Sequence, residues 1–262
     1  MRRKAFPVLT LVLATARCAG GGAGPAPSSV AMQPEQSATA PATTSGGAQR
    51  TVDATVNRCP TANGAGMTLE GQLGTLRASE VSATVNPTLP RLQACYARRL
   101  EEHPYLAGAL QFKIRVATDG SVRWVIPVQS SMGDRETEQC MLEVLGGLRF
   151  PEPCGGETET IWGPSFEGGE DMRPAVPWTA SRIQPQVNRR RAQLAQCLAG
   201  AAGATAEVTL YVAPGGRVAT AGAAVSSQAA AGSIACLLSE VSGWRGLPDP
   251  GSYPAKTSFR LP

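Results

Sequence analysis

Residues 92–95 read Leu-Gln-Ala-Cys, and residues 194–197 read Leu-Ala-Gln-Cys. The likeness continues downstream of both. A stretch of alternating apolar residues follows: Leu110, Phe112, Ile114 and Val116 in one copy, Val208, Leu210 and Val212 in the other. Then comes a turn, Thr118-Asp119-Gly120-Ser121 against Pro214-Gly215-Gly216-Arg217, and a second strand from Val122 or Val218. Gly120 stands 20 residues before Cys140, and Gly216 stands 20 before Cys236. Phe150-Pro151-Glu152-Pro153 is matched by Leu247-Pro248-Asp249-Pro250, and each copy closes on a short strand holding Phe166 or Phe259. Six features in one order mark an internal duplication.

Periodicity assigns the elements. Leu89, Leu92, Tyr96 and Leu100 share one face of a helix; Met141, Val144, Leu145 and Leu148 share another, with Asp134 as its N-cap. Ile234, Leu237, Leu238 and Val241 repeat the second pattern. In the strands, Gln111, Lys113 and Arg115 face away from Phe112 and Ile114. Each unit therefore reads helix, hairpin, helix, strand, with a hairpin turn at Asp119-Gly120. The class is α+β, with small antiparallel sheets, each buried on one face under two helices. Trp124 alternates with Val122 and Ile126 and is assigned to the core; Trp162 and Trp244 are read as core as well, with partner anchors as the other reading.

The seven cysteines then acquire a geometry. Cys95 lies on the first helix and Cys140 on the second, and both helices cover one sheet face, which brings their Cα atoms toward the ~5.5–6 Å of a disulfide. Cys197 and Cys236 hold the equivalent places. Cys59 and Cys154 pair by elimination. Spacing alone does not choose among the connectivities; the duplication does. No CxxC occurs and His103 is the one histidine, so neither a zinc ribbon nor a redox dithiol is expected, and no metal or cofactor is assigned.

The N-terminus reads as an export signal: a basic Met1-Arg2-Arg3-Lys4, then an apolar stretch from Ala5 to Ala16. Two cleavage patterns fit. Thr15-Ala16-Arg17-Cys18 resembles a bacterial lipobox, which makes Cys18 a lipidated first residue; Ala14-Thr15-Ala16 fits ordinary cleavage. Parity favours the first, because removing Cys18 leaves six cysteines, an even set. The net charge of +4 belongs to this segment: residues 1–17 carry four basic groups and no acid, leaving 20 basic against 20 acidic residues. A nucleic-acid role has no electrostatic footprint. Residues 19–50 are nearly all Ala, Gly, Pro, Ser, Thr and Gln, the composition of a disordered tether.

Leu92-x-x-Cys95-Tyr96, the loop from His103-Pro104-Tyr105-Leu106 to Gly108, Asp119-Gly120, Ser130-Ser131, Cys140, Phe150-Pro-x-Pro153 with Gly155-Gly156, and Pro164-x-Phe166 together resemble the AgmX/PglI C-terminal domain family. That family is similar to the TonB C-terminal fold and occurs in envelope proteins of gliding bacteria. The likeness covers about residues 87–168. The second copy is degenerate: Leu198 stands where the first has Tyr96, and its helix-to-strand loop is shorter. The resemblance implies two tandem TonB-C-like units, non-enzymatic and used for contacts in the periplasm. The expected organisation is a signal peptide over 1–17, a tether over 18–50, an extension over 51–86 packed on the first unit, the first unit over 87–169, a linker over 170–183 and the second unit over 184–262.

Other candidate sites have plain readings. His103 with Ser130 or Ser131 is the hydrolase alternative, but no nucleophile elbow surrounds the serines and His103 is read as an exposed loop residue. Glu101-Glu102 reads as a solvated helix end. Arg189-Arg190-Arg191 reads as a solvated face at the start of the second unit's first helix. Gly155-Gly156 and Gly215-Gly216 make no phosphate loop. By analogy with TonB-like folds, the final strand of the first copy, about 158–166 with Thr158, Thr160 and Trp162, is the edge that takes a partner's strand, although Pro164 opposes pairing on one side. The expectation is an outer-membrane lipoprotein, anchored through Cys18 and facing the periplasm, that binds or scaffolds envelope proteins. A ligand-binding lipoprotein is a further alternative.

Overall fold

A computed structural model describes residues 59, 73–168 and 172–262. The export signal, Cys18 and the tether lie outside the described residues. In the first half, α1 (Ala78–Val85) leads through a short 3-10 turn into α2 (Leu89–Leu100). The hairpin of β1 (Gly108–Val116) and β2 (Val122–Ser130) follows, then α3 (Arg135–Gly146), β3 (Thr158–Trp162) and the two-residue β4 (Ser165–Phe166). The hairpin turns where expected: Asp119 Oδ1 accepts the Ser121 N–H at 3.0 Å, and Gly120 takes φ 81° against the Phe150 carbonyl, where a Cβ has no room. Asp134 caps α3, its carboxylate accepting the Thr137 N–H at 3.0 Å.

The second half has β5 (Val176–Pro177), α4 (Gln184–Arg189), α5 (Arg191–Leu198), the hairpin β6 (Ala206–Ala213) and β7 (Arg217–Val225), α6 (Ser233–Ser242) and β8 (Ala255–Leu261). The sheets run β2-β1-β3 and β5-β8-β6-β7. The element order matches, and so does fine detail. Both hairpins carry a bulge at the same relative place, between Arg115 and Val116 and between Tyr211 and Val212.

Register also corrects the alignment of the last strands. Phe112 lies opposite Trp162, and Val208 opposite Phe259, so the strand of Trp162, not of Phe166, is the counterpart of the strand of Phe259. Phe166 belongs to β4. The chain steps there because Gly163 lies against the Leu110 carbonyl, an approach that no Cβ tolerates. Pro164 falls between the two short strands, and its carbonyl accepts the Leu110 N–H at 2.9 Å.

Each half has its own apolar core. Val85, Leu92, Phe112, Ile114, Met141 and Leu145 centre the first; Leu194, Val208, Leu210, Leu237, Trp244 and Phe259 centre the second. Trp244 is buried and stacks on Phe259 with ring centroids 5.6 Å apart. Trp124 is not core. It pairs with Arg115 on the solvent side of β1 and is half-buried. The bulge reverses the alternation expected of it: Val122 pairs with Val116 while Trp124 pairs with Arg115, so the two fall on opposite faces.

The three disulfides join the expected cysteines: Cys95–Cys140, Cys197–Cys236 and Cys59–Cys154, with Cα–Cα distances of 5.7, 5.6 and 5.3 Å. Such a set fits an oxidising compartment. Among the described residues no helix is long and apolar enough to cross a membrane.

Several expectations change. The described residues from Leu73 on belong to one compact unit, and the second sheet is buried on its outer face as well at Thr209, Tyr211 and Ala224, while Arg260 stays exposed. The side bearing Thr209 and Tyr211 packs on the first half, and Tyr211 joins the first half's core. Within the stretch 170–183, expected as a linker, β5 pairs in parallel with β8. The arginine run also divides a helix: Arg189 ends α4 and Arg191 begins α5.

The Cys95–Cys140 bridge spans a sequence separation of 45 and the Cys197–Cys236 bridge one of 39. In the chain-entropy picture each contributes about 4 kcal/mol. The double variant Cys95→Ala/Cys140→Ala should lose about that much in urea unfolding, and Cys197→Ala/Cys236→Ala nearly the same. A loss below about 1 kcal/mol for either pair contradicts the assignment of a structural clamp.

Candidate functional site

β3 is the outer strand of the first sheet, hydrogen-bonded to β1 on one side. At its start the other side is covered. The Glu157 carbonyl accepts the Gly74 N–H at 2.7 Å, Thr75 forms a bridge with Cys154, and Thr158 Oγ1 donates to the Gly74 carbonyl. Peptide groups of a strand alternate in direction, so Glu159 and Ile161 aim theirs the same way as Glu157. Among the described residues nothing pairs with the backbone there, and the Ile161 side chain is 57% exposed. The sequence-predicted residues thus divide: Thr158 is buried and bonded, Thr160 and Trp162 are half-buried and inward-facing, and Ile161 is the open position.

A groove of about 460 Å³ lies beside this edge, between α2 and the β3–β4 step. Leu89, Leu92, Tyr96, Trp162, Pro164 and Phe166 form its apolar walls. Tyr96 is fixed at both ends. Its ring stacks on Phe166 at 4.4 Å, and its hydroxyl donates to the Leu106 carbonyl at 2.6 Å. Trp162 packs against the first core, as expected, and also forms part of the groove wall.

The solvent face of the same sheet is polar. Arg115 bridges Glu157 and Glu159 at 3.0 and 3.2 Å, and Lys113 approaches Glu159 at 3.8 Å.

The joint between the halves holds charged groups that sequence reasoning missed. The buried Arg99 guanidinium meets the fully buried Asp134 at 3.1 Å. Asp134 also accepts from Thr137 on its own helix and from Thr220 Oγ1 on β7 at 2.7 Å. Burial pushes its pKa up, but the hydrogen bonds from Arg99, Thr220 and Thr137 outweigh it and hold the carboxyl below its ordinary value. One turn on, Glu138 is also fully buried. It accepts from Ser130 Oγ at 2.5 Å and from the Ala223 N–H at 3.2 Å, and it lies where any side chain on Gly222 would stand. Burial pushes Glu138 up to about 7. Nearby, the Lys256 ammonium and the Tyr211 hydroxyl both donate to the Ala107 carbonyl, at 2.6 and 3.1 Å.

The hydrolase candidates are not brought together. His103 Nδ1 pairs with the Tyr105 hydroxyl at 2.9 Å, and it is half-buried, not exposed as expected. Burial and then the Arg99 charge lower its pKa. Ser130 Oγ is committed to Glu138, and Ser131 Oγ bonds both to the Ala109 N–H, at 2.9 Å, and to its carbonyl. Glu101 and Glu102 are exposed, as read from sequence. Among the described residues no cluster of His, Cys, Asp and Glu is placed to hold a metal.

A signal for Glu138 did exist. Cys140 and Cys236 are equivalent, so Glu138 stands where the second copy has Ile234, a core residue. Comparison with known proteins adds no relative: no family model, curated protein or solved structure matches the chain.

The Glu138 geometry fixes a pH dependence. The folded-state pKa, about 7, lies above the ordinary carboxyl value of 4.5, so the folded protein holds this proton more tightly. Its stabilisation is complete below about pH 4.5 and falls as pH rises toward 7, by on the order of 3 kcal/mol. Arg135 opposes the shift and Asp134 adds to it. Glu138→Gln mimics the protonated acid, with its carbonyl facing the Ala223 N–H and its amide facing Ser130 Oγ. Urea unfolding from pH 4.5 to 8 should show the variant gaining on the native chain as pH rises. Parallel curves contradict the assignment.

Proposed function

We propose that this chain is a non-enzymatic, exported interaction module that binds an extended segment of an envelope protein by adding it as a strand to β3. The open edge at Glu159 and Ile161, lying beside the Leu89–Tyr96–Trp162 groove, is the observation that carries the reading. Unpaired peptide groups supply affinity in such binding, and pockets for alternate side chains supply selectivity. A strand laid against β3 turns every second side chain toward the groove and the others toward Ile161 and Glu159. The occupant that fits therefore has large apolar residues on its inward positions and small or β-branched residues on the outward ones.

The helix–hairpin–helix–strand order in both halves supports the likeness to the AgmX/PglI C-terminal family and its TonB-like fold. The disulfides support export. The reading includes a lipid on Cys18 and an outer-membrane position facing the periplasm, and the lipobox-like Thr15-Ala16-Arg17-Cys18 supports it.

A proline at position 161 tests the mode of binding. It removes an N–H that points away from β1 and leaves the ladder to β1 intact. The probe is a fluorescein-labelled Thr-Leu-Thr-Leu-Thr-Leu-Thr peptide, read by anisotropy on the oxidised chain. Ile161→Pro should weaken binding at least about tenfold, with the unfolding midpoint unchanged. Equal binding by both proteins, or none by the native chain, removes the proposal.

A further inference from the structure

The duplication extends to the groove. Cys95 and Cys197 hold equivalent places on their helices, so Leu89, Gln93 and Tyr96 correspond to Arg191, Ala195 and Leu198. The first three line the groove beside β3. The second three line a hollow of about 340 Å³ between the α4–α5 helices and the end of β8. Strand register carries the match across: Trp162 corresponds to Phe259, hence Pro164 to Leu261, and each lines the hollow of its own half.

The outer ladder stops short in the second half too, with the Ala180–Arg182 turn lying against β8 beyond it. β5 pairs with β8 only at Ala255 and Lys256. From Thr257 to Leu261 the outer side of β8 carries no ladder among the described residues.

The rim chemistry differs between the copies. The position of Leu89 is taken by Arg191, whose exposed side chain makes no hydrogen bond or ion pair among the described residues. Arg260 stands on the outward face of β8 with its side chain 80% exposed, and its partner is Glu207 at 3.2 Å. Val187, Leu198 and Leu261 supply an apolar floor in the hollow that both arginines line. An unpaired arginine on one side and Arg260, shared with Glu207, on the strand, beside an apolar floor and a strand end without a ladder, are complementary to an extended chain that alternates apolar and carboxylate side chains.

We infer that the second half holds its own strand-receiving groove, whose occupant is an extended acidic-apolar segment of a partner protein. The inference takes its mode of binding from the reading of β3 but uses a different edge and different residues. The chain then has two receiving edges of different selectivity, and the degenerate copy is a second site.

The probe is a labelled Glu-Leu-Glu-Leu-Glu-Leu-Glu peptide on the full oxidised chain, with the Lys-Leu and Thr-Leu peptides beside it. Arg191→Glu/Arg260→Glu should weaken the acidic probe at least about tenfold, and Ile161→Pro should leave it unchanged. Both arginines are exposed, so the reversal spares the fold, and the unfolding midpoint checks this. Tighter binding of the acidic probe than of the Lys-Leu probe, weakened by added salt, supports the assignment.

If Ile161→Pro abolishes acidic binding and the charge reversal does not, the probe sits on β3; this inference fails while the β3 reading stands. If the Thr-Leu probe fails on the native chain while the acidic probe binds through the arginines, the β3 reading fails and this one stands. No acidic binding, equal binding of the Lys-Leu probe, or a sedimenting dimer that the charge reversal dissolves and the acidic probe does not compete with each overturns it.

Discussion

A strand edge buried against protein must have its N–H groups met, and β7 is such an edge. It lies against β2 of the other half, with no backbone ladder between them among the described residues. Glu138 resolves the mismatch by reaching from α3 to the Ala223 N–H, over the bare Gly222. Asp134 does the same for the Thr220 hydroxyl, and Thr209 Oγ1 donates to the Ser130 carbonyl at 2.8 Å. The first half thus docks with carboxylates and carbonyls where the second offers donors. A carboxylate this deeply buried is costly when charged, so the joint is built best when Glu138 is protonated and Asp134 is not. The opposite shifts of the two acids follow from their partners: Asp134 has a guanidinium, Glu138 has none.

Duplication alone gives two copies with the same faces, and identical faces do not explain this asymmetric contact. Divergence at equivalent positions does. Gln111, Lys113 and Arg115 on β1 correspond to Glu207, Thr209 and Tyr211 on β6. In the first half two of these positions, Lys113 and Arg115, carry half-buried ion pairs with Glu157 and Glu159 that keep the sheet face polar. In the second half, Thr209 and Tyr211 are buried and hydrogen-bonded to the first. Glu138 against Ile234 is the reciprocal change. One outer sheet face remains polar while the other becomes an internal layer.

The elements and cross-links were legible because they rest on local periodicity and on a repeat that states each signal twice. Leu92 through Cys95, the Asp119-Gly120 turn and the Asp134 cap need no tertiary information. The joint was not legible for the opposite reason. Single-sheet alternation assigns Thr209, Tyr211 and Lys256 to solvent, and only the packing of the two halves buries them. Trp124 was misplaced by a bulge, which inverts the facing of the residues that follow until a second bulge restores it, and leaves no mark in composition. For the site, the strand was legible while the groove was not: Leu89 and Tyr96 from α2 meet Trp162 and Phe166 only after about 70 intervening residues have folded between them. Burial of Thr158 under Gly74 was hidden for the same reason, since the covering segment lies far upstream.

Topology then limits what the molecule has left to offer. Each sheet has two edges. The joint occupies β2 on one and β7 on the other, so the available edges are β3 and the end of β8. Both sit beside the cysteine-bearing helix of their half, α2 or α5, and in each the bridged cysteine is the sequence neighbour of a groove-lining residue: Cys95 adjoins Tyr96, and Cys197 adjoins Leu198. A receiving edge binds well only if its groove does not have to be ordered by the ligand, because ordering cost subtracts from affinity. The cross-links that hold the helices on their sheets also set the separation between helix and edge strand. On the proposed reading, the bridges then help to keep both grooves preorganised as well as holding the fold.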